Sequence, residues 1–273
     1  LSHPLIDSFV ELERVAAQEF WKSEDRTAWR DDLLRHCETR ELLTLKSYLG
    51  EASGSLKSPA IFPVFMWDSD LRRCFSVARS KNVQETPSIE PFSTALNSLK
   101  GLSPASVAGL FLRPGFWMTE SWQIEENELR EALATARSAN SMIVRCGFLT
   151  QHADILISSD LGFSAIQIHA GSLDIYELQM AIELARDCRL CPIVSVATDE
   201  EMEQAIQTDA PHIALCHFPM DGIEQSAKFI QSALPRVPAN CTRVLMTAAA
   251  NTAEATLLNR LGFTSTFQFN PDN

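Results

Sequence analysis

Residues Ser141 to Leu178 read S-M-I-V-R-C-G-F-L-T-Q-H-A-D-I-L-I-S-S-D-L-G-F-S-A-I-Q-I-H-A-G-S-L-D-I-Y-E-L, and no other stretch limits the fold as tightly. The apolar run Met142–Val144 predicts a buried strand, and Arg145–Gly147 a polar corner after it. Phe148, Ile155 and Leu156 have the spacing of a helix lying on a sheet, Gly162 is a stop for that helix, and Ala165–Ile168 is a second buried strand. Ser172 is placed to begin the next helix. Two strands joined through a helix by connections of a few residues must pair in parallel, with a right-handed crossover.

The same unit recurs along the chain. Strands are predicted at Ala60–Met66, Val107–Leu112, Pro192–Val196, His212–Leu215, Arg243–Met246 and Thr264–Phe269. Helices are predicted at Ile89–Lys100, Glu126–Arg137, Leu173–Ala185, from Asp199, at Glu224–Ala233 and at Ala253–Leu261. With the two strands above the count reaches eight, so the expected fold class is α/β, a (β/α)8 TIM barrel, with no full closing helix after the last strand. Residues 5 to 48 carry helical apolar stripes and precede any strand, so residues 1–58 are expected to form a helical extension and residues 59–273 the barrel, together one structural domain. The long patternless stretch Trp67 to Pro87 is expected to be a functional or mobile loop.

Charge narrows the partners. Lys and Arg number 23 against 35 Asp and Glu, a net charge of −12, and no basic cluster stands out, so a nucleic-acid partner is not expected. No apolar run approaches the ~20 residues that span a bilayer, and the start L-S-H-P-L-I-D lacks a signal-peptide plan, so a soluble, cytoplasmic protein is expected. The seven cysteines are scattered and read as reduced thiols. Cys188-Arg-Leu-Cys191 has no matching second pair and reads as structural.

V-R-C-G-F at residues 144–148, and Val194-Ser-Val-Ala-Thr-Asp-Glu-Glu-Met202, carry a family resemblance. Their order and spacing resemble indole-3-glycerol phosphate synthase, the tryptophan-biosynthesis barrel that closes and decarboxylates a phosphorylated, anthranilate-derived ribulose. That family has a helical extension of similar length, a third strand ending L-R-K-D-F and a fifth reading V-E-V-H-D-E-E-E-L. The two run together without a gap from Val144 to Leu178, keeping Arg145, Phe148, Gly162, Ala165 and Leu173, while the Trp67–Pro87 loop has no counterpart of its length.

Departures fall on the catalytic positions that the resemblance implies. The third-strand lysine is Cys146, the first-strand glutamate and lysine are Val64 and Met66, and the fifth-strand glutamate is Ser195. Cys216 stands for the sixth-strand asparagine, Thr247 for the seventh-strand glutamate, and Ala249 and Phe269 for phosphate-site glycines. Asp68-Ser-Asp70 replaces the phosphate-binding S-P-S turn. The resemblance therefore implies a retained barrel whose parent lyase reaction is lost, a pseudoenzyme or binding protein. The alternative is an active carboxy-lyase with relocated groups, or a new activity built on Cys146, His169 and His217.

Active sites of this fold lie at the C-terminal ends of the strands. There Cys146, His169, Cys216 and His217 are the catalytic candidates, as a Cys/His nucleophile pair or a soft metal site, against the plainer alternative of small buried thiols and satisfied imidazoles. Arg113, Arg145, Thr247, Gln268 and Asn270 are the candidates for substrate binding. We assign no cofactor and no metal, and expect a small-molecule ligand at the barrel mouth or a protein partner.

Overall fold

The computed structural model describes residues 11, 14, 15, 18, 20–22, 25–43, 45, 60–66, 92–112, 122–147, 151–217, 223–247, 263 and 265–269 of the chain. Strands β1 (Ala60–Met66), β2 (Val107–Phe111), β3 (Met142–Cys146), β4 (Ala165–His169), β5 (Cys191–Val196), β6 (His212–His217), β7 (Thr242–Thr247) and β8 (Ser265–Phe269) form a closed barrel in sequence order. Every neighbouring pair is parallel, and β8 closes on β1 with Ala60 opposite Ser265 and Val64 opposite Phe269.

Helix α1 (Arg26–Cys37) precedes β1, and α2 (Phe92–Lys100), α3 (Trp122–Ser138), α4 (His152–Leu161), α5 (Ile175–Asp187), α6 (Asp199–Gln207) and α7 (Ile223–Ala233) lie between successive strands. This is the (β/α)8 barrel, and the strands are apolar on both faces because each face is covered. Val144, Cys146, Ala165, Ile193, Cys216 and Met246 pack inside the barrel, while Ile143, Ile166, Ile168, Val194, Leu215 and Leu245 pack outward against helices. Gly109 fits the inner layer, since a Cβ there would stand 2.9 Å from Cys146 Sγ and 3.0 Å from a Val64 methyl.

The helix after β3 ends as its glycine predicts, with Gly162 left-handed at φ 102° and its N–H donating to the Ser158 and Ser159 carbonyls. Three local expectations change. Arg145 and Cys146 belong to β3, so the corner begins only at Gly147. Ser172 lies in a 3-10 turn, and the cap of α5 is Asp174, whose carboxylate accepts the N–H of Tyr176 and Glu177 while Glu177 reaches back to the Asp174 N–H. Reciprocal capping of this kind satisfies donors that a serine two residues earlier cannot reach. The extension is not helical throughout, because Glu41–Leu43 are non-helical.

Leu43 and Leu45 instead join the barrel's inner cluster, and the Leu45 backbone hydrogen-bonds the Cys191 thiol at the start of β5. The extension therefore helps to close the barrel floor. Its helix α1 packs on α4, where Cys37 Sγ lies 3.3 Å from Ser159 Oγ and Arg40 donates to the Ser159 carbonyl. Cys188 packs with the outer cluster and Cys191 with the inner one, which is the structural role expected of the C-x-x-C. The Trp67–Pro87 loop and the Ala253–Leu261 helix fall outside the described residues. No helix among the described residues is long and apolar enough to cross a membrane.

Candidate functional site

Side chains alternate along a strand, so position decides which ends of strands can meet at the barrel mouth. On β3, Val144 and Cys146 face inward, and Arg145 between them faces outward. Its guanidinium lies beneath the first turn of α4, 3.6 Å from the Asp154 carboxylate, with both side chains wholly buried. Arg145 is therefore spent on a helix contact and does not supply the mouth with a charge for substrate. Burial pushes the Asp154 carboxyl upward, and Arg145 pulls it only part of the way back.

Thr247 is displaced for the same reason. Val244 and Met246 face the barrel interior, so Thr247 shares the outer face with Leu245 and is buried there. Thr247, expected to bind substrate at the mouth, therefore does not face the barrel interior. His217 and Gln268 are placed by backbone only, each in register with Thr247, and their side chains lie outside the described residues. Arg113 and Asn270 also lie outside them.

Cys146, His169 and Cys216 do converge. The Cys216 thiol lies against the Ser195 hydroxyl and the Val196 backbone, with Glu201 and Cys146 near enough to act on it electrostatically. Burial dominates both thiols: Cys146 is pushed up to about 12 despite Arg145, and Cys216 is pushed up as well. A thiol so held is protonated at neutral pH, which removes the thiolate that nucleophilic or metal chemistry needs. Among the described residues, no group of three or more His, Cys, Asp or Glu side chains could hold a metal ion.

Three polar residues complete this arc: Ser195, which the resemblance puts at the fifth-strand glutamate position, and Gln167 and Glu201, which the sequence had not put there. Gln167 faces inward from β4, accepting the Gly147 N–H at 3.3 Å and donating Nε2 to Ser195 Oγ at 2.9 Å. Ser195 Oγ also lies 3.3 Å from His169 Nδ1 and 3.4 Å from the Ile168 carbonyl. Glu201, in the first turn of α6, folds back so that Oε2 accepts the Ala197 N–H at 2.6 Å. The signal for Gln167 was its alternation with His169, a polar pair on the inner face of an otherwise apolar strand. Glu201 falls in the first turn of the helix predicted from Asp199, where an acidic residue suits the helix dipole, and the sequence carries no hint of its reach.

No protein-family model matches the chain, and no curated protein matches it in sequence. Solved structures match in shape. The YdjI aldolase from Escherichia coli K12 superposes with a TM-score of 0.50 at 11% identity, over 84% of this chain and 82% of that one. A structure described as native KDPGal gives 0.47 at 12% identity, over 80% of this chain and 85% of that one. At 11% identity the likeness to the aldolase is one of architecture, and what the two chains share is the (β/α)8 barrel.

Proposed function

We propose that this chain is a barrel protein of the indole-3-glycerol phosphate synthase kind, related to tryptophan biosynthesis, whose ring-closing decarboxylation is lost and whose mouth binds a small molecule. The observation that carries the proposal is the inner face of β3, β5 and β6. Cys146, Ser195 and Cys216 face inward and are buried at the positions matched to the synthase's lysine, glutamate and asparagine. Cys146 and Ser195 do not supply the charges that the lysine and glutamate bring, and Cys216 lacks the amide of the asparagine. A general acid or base contributes ~10²–10⁴-fold to rate, so replacing two by a protonated thiol and a hydroxyl removes at least ~10⁴-fold.

The test is direct. Purified protein is mixed with the anthranilate-derived ribulose phosphate, and indole fluorescence and released CO2 are followed. Neither should rise above the buffer rate, and calorimetry should show no micromolar binding. Turnover within ~10³-fold of a synthase would overturn the proposal.

A further inference from the structure

The neutral polar groups of the mouth arc are already engaged within the protein. Gln167 accepts the Gly147 N–H and donates to Ser195, Ser195 also meets His169 and the Cys216 thiol, and the Cys146 thiol donates to the Val144 carbonyl at 3.7 Å. One carboxylate oxygen differs. Helix α6 opens with Asp199, Glu200 and Glu201, of which Asp199 is paired with Arg236 and Glu200 is exposed. Glu201 is half-buried and turns the other way, toward the strand ends. Its Oε2 accepts the Ala197 N–H at 2.6 Å and its own N–H donates to Thr198 Oγ1 at 3.2 Å, which together fix the carboxylate. Its Oε1 rests against Gly171 in the turn after β4, where an added Cβ would collide with that oxygen and stand 3.2 Å from His169 Nε2. Among the described residues no hydrogen bond or ion pair reaches Oε1.

We propose that the mouth binds a small primary amine without phosphate or carboxylate, its ammonium group held by Glu201 Oε1. The proposal rests on the reading of the mouth as a small-molecule site and names the class of molecule. A fixed carboxylate with one oxygen open offers an acceptor and a negative charge, and an ammonium brings the donor and the opposite charge. Charge disfavours the other classes. Arg145 is turned outward onto Asp154 and cannot hold a carboxylate or phosphate, so an anion at this arc would meet Glu201 instead. Cys146 and Cys216 are held as neutral thiols and neither compete for the ammonium nor offset the charge of Glu201. Glu201 also lies beside the buried Cys216, where water is scarce and a charged hydrogen bond is stronger than in bulk solvent.

The experiment follows the histidine ring C–H signals by NMR at pH 7 during titration with ethanolamine, ethylene glycol or glycolate. These have similar size and carry positive, no and negative charge, and the His169 signal is identified by its loss in His169→Asn. Ethanolamine should shift that signal at concentrations at least ~10-fold below those that ethylene glycol needs, and glycolate should leave it in place. Glu201→Gln removes the charge while its amide oxygen can still accept the Ala197 N–H, so it should weaken ethanolamine ~10-fold and leave ethylene glycol within about twofold. Gly171→Ala should also weaken ethanolamine with the urea midpoint unchanged, because Gly171 is not left-handed and the methyl displaces only the end of a flexible side chain. Ethanolamine binding no tighter than ethylene glycol, glycolate binding tighter than either, or unchanged ethanolamine affinity in Glu201→Gln would each overturn the proposal. If ethylene glycol or glycolate shifts the His169 signal best, the mouth is still a small-molecule site and only the amine is wrong. Loss of the ring-closing reaction is read with a different substrate, so it stands or falls separately.

Discussion

Buried charge and buried thiols are the residue-level features with the largest consequences. Asp154 is a counter-charge to Arg145 in a region without solvent, so Asp154→Asn breaks a buried ion pair from one side and should cost about 3–5 kcal/mol in urea unfolding. Replacing both partners by Met and Leu should cost much less, since desolvation of the pair is then avoided. The thiols give a pH dependence of known sign. Burial pushes Cys146 and Cys188 up to about 12 and Cys191 to about 11, from an ordinary value of 9.0. Above pH 9 the unfolded chain releases these protons while the folded chain keeps them. Stability is therefore whole below pH 9 and falls as pH rises toward 12, by up to ~1.4 kcal/mol per pH unit for each thiol. Urea midpoints at pH 8 and pH 10 measure it, and Cys146→Ala should reduce the slope. Iodoacetamide at neutral pH with mass mapping should leave Cys146, Cys188, Cys191 and Cys216 unlabelled until urea is added, while part-exposed Cys241 reacts before them. The sequence could mark Cys146 and Cys216 as candidates because strand ends converge in a barrel. Their protonation state depends on burial, which a sequence does not display.

At the scale of elements, caps and alternation did most of the work. Asp174 satisfies two N–H groups of α5, and Asp174→Ala should destabilise the fold by about 1 kcal/mol, read as a shifted urea midpoint. Strand existence was legible from apolar runs bounded by polar corners, but ends were less so. Arg145 looked like the start of a loop because a buried arginine contradicts the apolar pattern, and the Asp154 carboxylate on α4 helps to make it tolerable inside a strand. The same uncertainty moved Thr247 to the outer face: a shift of one residue in a period of two reverses every side chain.

For the molecule as a whole, closure is the organising fact. The pairing of β1 with β8 buries the edges of both strands and leaves two open ends, the mouth and the floor. Leu45 is wholly buried in the barrel's inner cluster, so Leu45→Ala should cost about 2–5 kcal/mol in thermal or urea unfolding. We propose on this basis that the extension and barrel unfold together. Removing residues 1–45 should lower the melting midpoint and raise binding of an apolar dye, whereas an unchanged midpoint would show that the floor is closed without them.

The sequence alone determined the barrel, because apolar run, polar corner and helical stripe are local signals and eight repeats of a parallel unit have few ways to bury both faces. It also determined that Cys146, His169 and Cys216 would share one end, since parallel strands of similar length must deliver their C-termini together. Tertiary structure decided what those residues can do. Which face Arg145 and Thr247 occupy, how Ser195 links Gln167 to His169, and how Glu201 folds back onto the Ala197 N–H all depend on contacts that only the folded chain makes. Such contacts are set by register and packing, and neither leaves a periodic mark in the sequence.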